Sequence, residues 1–512
     1  MHAVTSFVSR LTGWVAALAC ARDIGVSQHA IRRHRSIFVR GMTKANNLPG
    51  PLKIFHGLGA VAYGIKDNGF SVFLLIFYNQ VMGLDAGLVG TVIMAALIFD
   101  ALADPIIGEL SDRTQSRWGR RLPWLYSAAI PVGIAWMLLW HPPALGHTGT
   151  LIWLFGTAVL ARFLIAMCEI PSIALVPEIT PDYDERTILM RYRLLFAWGG
   201  GLLILIAAYG VFFTGANGVS ERSGYDGYSL TGALIMTGSV LISAFAQHRY
   251  VAKPSPAARP AHSLGQALFE MRETLSNRAF VILASAALFG LINQGMTFAL
   301  SNYLFAYIWQ FERMEFLYYA LVLFGSVIIA FLSVPAVSKR YGKKGGAIRY
   351  AVVSLSLNLA LYGCYIFDLV PGGKSNPLPL FIFGFAIFAY AAAIGMIILI
   401  NSMFADVVEA SQAETGRRSE GLFFAGYFFT QKCAAGIGTF IAGMILTFST
   451  FPEKAVVGQV DKAALDMFVM LYMFALLIIG IIGILILRHF PISRESHNER
   501  LRALNTSAES AS

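Results

Sequence analysis

The chain has 512 residues, of which 56% are hydrophobic and only 13% charged, and its mean hydropathy is +0.63. Soluble domains carry about 25% charged residues, and a chain this long and apolar cannot bury its hydrophobic residues in one soluble core. The composition therefore excludes an ordinary soluble protein and indicates one that lipid solvates.

Apolar runs of about 20 residues, the length that crosses a bilayer, follow one another along the chain. They predict an all-α polytopic membrane protein with twelve transmembrane helices. The predicted spans are residues 55–80, 87–110, 122–140, 151–177, 194–214, 230–247, 279–309, 315–337, 347–367, 378–404, 422–449 and 465–487.

The two ends of the chain differ from this apolar body. Residues 1–50 form a predicted basic N-terminal extension, in which the apolar run from Leu11 to Ala21 is too short to span. We expect a flexible cytoplasmic arm, or a start at Met42; a signal peptide is the alternative. Residues 491–512 form a polar tail that is predicted to be disordered.

Basic residues concentrate in alternate loops. They lie after the second, fourth and eighth spans, between the sixth and seventh, before the eleventh and in the tail. Because Lys and Arg are enriched in cytoplasmic loops, both termini are predicted to be cytoplasmic in a plasma (inner) membrane protein. The net charge of +10 is thus read as a topology signal, and no nucleic-acid partner is expected.

The predicted spans divide into two sets of six. Residues 51–248 form a predicted N-terminal six-helix bundle, and residues 279–490 form a C-terminal one. Residues 249–278 form a cytoplasmic linker with a short amphipathic stretch, from Leu264 to Leu275. Two six-span halves are typical of secondary transporters, whose site lies between the halves near the middle of the bilayer.

Ionisable residues inside the spans are the strongest functional signal. Each is costly in lipid unless it is paired or hydrated, so each is a candidate site residue. They are Lys66 and Asp67 in the first span, Asp100 and Asp104 in the second, Glu169 in the fourth and Lys432 in the eleventh.

Asp100 and Asp104 are spaced i and i+4, which places both carboxylates on one face of a helix. Two such carboxylates repel each other unless a cation or a shared proton compensates them. We therefore predict a cation site there. The alternative is a structural salt bridge in which Lys432 neutralises one of the two aspartates.

Two other carboxylates are candidates for substrate contact. Glu169 precedes Pro171, which is expected to loosen the helix and free backbone groups toward a cavity. Its alternative role is a structural pair with Arg162 or Arg193. Asp67 has Lys66 as its alternative partner, but adjacent residues on a helix point in different directions, which favours a role for Asp67 in the cavity.

The loop after the second span carries a dense set of charges. Asp112 and the arginines Arg117, Arg120 and Arg121 are predicted to form salt bridges that lock the cytoplasmic ends of helices in one state. A role in topology alone is the simpler alternative.

Catalytic and cofactor motifs are missing from the sequence. It has no GxSxG, HExxH, GxxxxGK[ST] or GxGxxG pattern in a suitable context, and its four cysteines lack metal-ligand spacing. We expect no enzyme activity and no cofactor. Without an ATP site, transport would run on an ion gradient.

Several motifs resemble one known family. They are Tyr63-Gly-Ile-Lys-Asp67, Phe99-Asp-Ala-Leu-Ala-Asp-Pro105, Ser111-Asp-Arg-Thr114, Arg117-Trp-Gly-Arg-Arg121, Ile170-Pro171, Asp184-Glu-Arg-Thr187, Ala405-Asp-Val-Val408 and Thr415-Gly-Arg-Arg-Ser-Glu-Gly421 with Thr430-Gln-Lys432. Over residues 50–490 the chain resembles the glycoside–pentoside–hexuronide:cation symporters of the major facilitator superfamily.

The resemblance implies residue roles and also exposes departures. Asp100 and Asp104 match the cation-binding pair, and Lys432 matches the lysine beside it; Asp67, Glu169 and Arg193 match positions for substrate. The family's sodium-binding pattern has Asn and Thr where this chain has Ala103 and Ala166, and its sugar-stacking Trp is replaced by Ile173. These losses of oxygen ligands leave Na⁺ and H⁺ both open as the coupling cation.

The expected function is symport of a sugar, glycoside, uronide or similar small solute, by a monomer. A transporter of a lysolipid-like amphiphile is the alternative, motivated by Ile173 and Ala166. From another class, the chain would be a membrane sensor or a partner subunit that has lost transport, against which the intact acidic pair argues.

Overall fold

A computed structural model describes residues 48–180, 182–214, 218–251, 277–370, 378–415 and 420–491. Every regular element in these ranges is a helix, so the predicted all-α class is confirmed. Most of the predicted extension (1–50), linker (249–278) and tail (491–512) lies outside the described residues. The division into bundles 51–248 and 279–490 stays a prediction.

Eleven helical elements in the described ranges are long and apolar enough to cross a membrane. They are α1 (Gly50–Val81), α2 (Ala86–Arg113), α3 (Leu122–Trp140), α4 (Gly146–Ile179), α5 (Asp184–Phe212), α6 (Arg222–Val251), α7 (Arg278–Ile308), α8 (Arg313–Ile366), α9 (Leu378–Ser411), α10 (Gly426–Phe448) and α11 (Lys462–Arg488).

The element α8 contains two predicted spans, 315–337 and 347–367. At Gly342 its backbone leaves the helical region, with φ 70° and ψ 169°, a conformation that is essentially confined to glycine. The chain folds back there, since Tyr350 Oη donates to Ser333 Oγ at 2.7 Å across a separation of 17 residues. The connection predicted between the spans is reduced to a turn at Gly342, because helix continues to either side of this residue. The total of twelve transmembrane helices stays a prediction.

The bundle has two distinct ends. We call the end that carries the loop between α2 and α3 the basic end, and the opposite end the far end. Near the far end three helices contain π-helical turns: Gly69–Phe73 and Phe77–Val81 in α1, Ala208–Phe212 in α5 and Leu304–Ile308 in α7. A π turn inserts an extra residue and is frequent at functional sites.

Buried polar side chains join the two halves of the sequence at the far end. Tyr303 Oη donates to Asn79 Oδ1 at 2.9 Å, and Asn302 Nδ2 donates to the Val72 carbonyl at 2.9 Å. Asn302 Oδ1 in turn accepts from Tyr209 Oη at 2.8 Å. We call these five residues the far-end layer; all of them are buried, so their hydrogen bonds replace contacts with water and close this end.

Glycines let α2 and α10 approach closely. A Cβ atom built at Gly443 would lie 2.3 Å from the carbonyl oxygen of Ala86, and one at Gly90 would lie 3.0 Å from that of Thr439. Small residues at such positions allow membrane helices to pack backbone against backbone. This contact brings the acidic helix of the first half against the lysine-bearing helix of the second.

Candidate functional site

Lys432 of α10 lies between the two aspartates of α2. Its Nζ is 2.5 Å from Asp104 Oδ2 and 3.0 Å from Asp100 Oδ2. The two aspartates share a helix face as predicted, and one lysine from the other half of the chain bridges them. Asp100 is almost fully buried, with 4% of its side chain exposed, whereas Asp104 is 27% exposed.

Arg162 of α4 is the second cation at Asp100. Its Nε lies 3.3 Å from Asp100 Oδ2, in an orientation that gives an ion pair rather than a hydrogen bond. The guanidinium also lies over the ring of Phe70 in α1, with Cζ 4.6 Å from the ring centroid. The alternative pairing of Arg162 with Glu169 is not observed, because the arginine turns toward α2 instead.

Glu169 faces Arg193 of α5. The nearest nitrogen of the guanidinium, Nη2, is 3.9 Å from Glu169 Oε1, and Nη1 donates to Ser172 Oγ at 2.6 Å. The pair is long, so a ligand oxygen or a water has room to join it. The structure therefore brings these two predicted substrate residues together on neighbouring helices.

The side chains of Lys66 and Asp67 point in different directions, as their adjacent positions on a helix predict. Lys66 is buried and its Nζ lies 4.2 Å from the ring centroid of Tyr63, whereas 56% of the Asp67 side chain is exposed. The distance of 3.9 Å from Lys66 Nζ to Asp67 Oδ1 makes a loose pair. An exposed carboxylate halfway along α1 is typical of a residue that faces a hydrated cavity.

The predicted gate residues pair at the basic end. Arg121 Nη2 donates to Asp112 Oδ1 at 2.5 Å, and both Arg120 and Arg121 donate to Glu178 at the end of α4. Arg117 instead lies over the ring of Trp118. Glu178 was missed as a partner because it sits in an ordinary polar helix end; the gating role of this set stays a prediction.

Sequence reasoning also missed the place of Arg162 beside Asp100. The rule that flagged the other ionisable residues in spans applies to Arg162 equally, so the sequence does contain the signal. In the sequence Arg162 is only one of two alternative partners for Glu169, the other being Arg193. The direction of a long side chain toward a neighbouring helix is not visible in the sequence.

Oxygen ligands for a metal ion are few near the acidic pair. Ala103 and Ala166 are buried against Ile107, so these two positions contribute methyl groups rather than oxygens. Among the described residues, no group of three or more His, Cys, Asp or Glu side chains is placed to hold a metal ion.

A cavity of about 800 Å³ lies away from these residues. It is at the basic end, between α1, α3 and α6, and its walls include Phe55, Trp118, Tyr126 and Arg249. It contains none of the predicted substrate or cation residues. We therefore locate the candidate site by its charged side chains and not by this cavity.

The comparison with known proteins now identifies the family. Residues 55–494 match the family described as MFS/sugar transport protein. The chain belongs to that family. The predicted resemblance is confirmed, and this member of the MFS/sugar transport protein family is an integral membrane transporter, with a small-molecule substrate, whose relatives are transporters as well.

Individual relatives cover most of the chain. The putative glycoside/cation symporter YagG of Escherichia coli (strain K12) is 27% identical over 415 residues, 80% of this chain and 85% of the relative. An isoprimeverose transporter of Lactiplantibacillus pentosus is 26% identical over 407 residues, 78% of this chain and 81% of the relative. The inward open xylose transporter XylE from E. coli matches with a TM-score of 0.59 at 14% identity, covering 89% of this chain and 99% of that one, which shows the fold alone.

Proposed function

We propose that this protein is a cation-coupled symporter of a sugar or glycoside that works by alternating access. The single observation that carries the proposal is the contact of Lys432 with both Asp100 and Asp104 across the two halves. A cation or proton that competes for these carboxylates changes the contact between the halves. Binding of the ion is thereby linked to the movement that exposes the substrate site.

The assignment of roles follows the geometry. Asp100 and Asp104 bind the coupling cation, Na⁺ or H⁺. When no coupling cation is bound, Lys432 balances the charge of the two carboxylates. Asp67, Glu169 and Arg193 contact the substrate, and Lys66, like Lys432, serves coupling and charge balance. Carboxylates and a guanidinium are suited to hydroxyl groups, which both accept and donate hydrogen bonds. The exposure of Asp67 and the closed far-end layer support a state that is open to the basic end.

The substrate class rests on the relatives. The relatives include the putative glycoside/cation symporter YagG and an isoprimeverose transporter, which favours a sugar or glycoside here. A lysolipid-like amphiphile is not favoured. The basic end faces the cytoplasm in this proposal, because Arg113, Arg117, Arg120 and Arg121 follow the positive-inside rule.

Gradient-driven uptake in proteoliposomes tests the proposal. The full chain is reconstituted and supplied with labelled xylosides, glucosides and glucuronides under an imposed Na⁺ or pH gradient. One gradient is expected to drive accumulation, and the variant Asp100→Asn/Asp104→Asn is expected to lose it. Asp368→Asn, at an exposed residue near the far end, is the matched control and should accumulate normally. Accumulation that ignores both gradients would contradict the cation coupling.

A further inference from the structure

Arg162 is a fixed positive charge at the aspartate pair, and the cation pattern carried over by resemblance does not include it. Only 4% of its side chain is exposed, so it is held inside the protein rather than in solvent. Phe70 on one side and Asp100 on the other fix the guanidinium by a cation–π contact and an ion pair. An arginine stays protonated in proteins, so this charge does not come and go.

One of the carboxylate oxygens that a sodium ion would need is already shared by two cations. Asp100 Oδ2 lies 3.3 Å from Arg162 Nε and 3.0 Å from Lys432 Nζ. A hard cation is bound by a cluster of oxygens at short distance, and it is repelled by the two positive groups that face this atom. Ala103 and Ala166 offer no further oxygen from their side chains.

The charges around the centre are already balanced. Four carboxylates and four basic groups line α1, α2, α4, α5 and α10 among the described residues: Asp67, Asp100, Asp104 and Glu169 with Lys66, Arg162, Arg193 and Lys432. Beside the buried Asp100, two carboxylates already face two cations, so an added sodium ion leaves an uncompensated positive charge at a poorly solvated site, which is unfavourable. Removing Arg162 restores the net negative charge that a cation requires.

We propose that Arg162 occupies the place of a coupling sodium ion beside Asp100 and thereby determines cation specificity. The wild-type protein accordingly binds its substrate without sodium. A neutral side chain with an oxygen at position 162 converts the acidic pair into a sodium site. This inference rests on the proposed function, because it concerns the cation of the same symport.

Thermal unfolding of the purified full-length protein tests the sodium response. The midpoint Tm is measured in NaCl, KCl and choline chloride at equal ionic strength, for wild type, Arg162→Gln and Arg162→Lys. The wild type and Arg162→Lys should show the same Tm in all three salts. Arg162→Gln should gain roughly 2 °C in NaCl alone at a tenfold excess over its Kd.

Two results would overturn the inference: a sodium-specific rise in the Tm of the wild type, or a folded Arg162→Gln protein that does not respond to sodium. Should Arg162→Gln fail to fold, counterflow by the wild type decides the matter, since exchange of labelled sugar is expected to be unchanged when choline replaces sodium. A twofold or larger loss of exchange without sodium would contradict the role of Arg162.

The same measurements separate this inference from the proposed function. A folded wild type that exchanges none of the sugars refutes sugar transport, while the comparison of Tm values still reports on sodium. Exchange that requires sodium leaves the transport proposal intact and refutes the role of Arg162.

Discussion

The far-end layer and the charged centre both join the two halves of the chain, but with different chemistry. At the far end neutral groups such as Asn302 and Tyr303 make buried hydrogen bonds whose partners are already present. In the centre Lys432 pairs with two carboxylates, and a cation or proton that binds them, as proposed, would replace this contact. The centre is therefore the contact that the proposed ion binding would change, whereas the far-end layer contains no charged side chain.

Loss of the central lysine should have the largest effect. Lys432→Gln removes one cation from the buried Asp100 and the ion-pair partner of the partly exposed Asp104, and loss of a buried pair costs about 3 to 5 kcal/mol. We expect a lower Tm and a loss of gradient-driven uptake. Lys432→Arg, which keeps the charge, is the control and should retain the larger part of the stability; equal damage in both variants would show that shape rather than charge matters here.

Overpacking the close contact between α2 and α10 should have the next largest effect on stability. In Gly443→Ala the new methyl group meets the carbonyl of Ala86, which is backbone and cannot rotate away, so overpacking is expected to cost about 3 kcal/mol. Thermal unfolding measures it. Gly384→Ala is the matched control, because nothing lies within 4 Å of a Cβ built there. A similar Tm for the two variants would refute the close contact.

Breaking the hydrogen bonds of the far-end layer should lower the free energy of unfolding by a smaller amount. It should also increase local opening of the backbone at this end. Asn302→Ala removes the partner of Val72 and of Tyr209, and the unsatisfied buried groups cost about 2 kcal/mol. Amide hydrogen exchange should rise in residues 69–81 and 303–308. Asn293→Ala, which loses a bond to Leu476 within the second half, should leave those segments protected. Unchanged exchange in Asn302→Ala would mean that the layer does not hold the end shut.

The smallest effect is expected at the basic end. Arg120 pairs with Glu178, both from the first half, and Arg121 still holds Glu178 when Arg120 is replaced. Partly exposed pairs of this kind contribute about 0.5 kcal/mol, so Arg120→Gln should barely change the Tm. Amide hydrogen exchange of the far-end segments should be the same in Arg120→Gln as in the wild type. A large rise there would contradict the view that this pair acts inside one half.

Much of the fold could be predicted from the sequence because lipid imposes long apolar runs. The spans, the acidic pair on one face of α2 and the lysine on a later span all follow from composition and helical spacing. The turn at Gly342 did not follow, since its flanking residues are polar and read as a loop although they continue the helix.

Contacts between helices were harder to predict than the helices themselves. The sequence identifies Arg162 as a charge in a span but does not show whether it faces Glu169 or Asp100. The residue spacing within one helix gives no information on how the neighbouring helices are rotated. Asn79 of the far-end layer likewise looks like an ordinary polar residue at a span end, and Asn302 lies inside a span whose sequence does not identify its hydrogen-bond partners. Tertiary packing, rather than local pattern, decides these partners.

The fold-back at Gly342 bears on how the protein enters the membrane during synthesis. A turn at one residue leaves no loop between the arms of α8, and the arms contact each other through Tyr350 and Ser333. We expect the ribosome to deliver them to the bilayer as a preformed helical hairpin, in which each arm shields part of the other while both insert. This hairpin requires glycine at position 342, because φ 70° with ψ 169° is a conformation essentially confined to glycine.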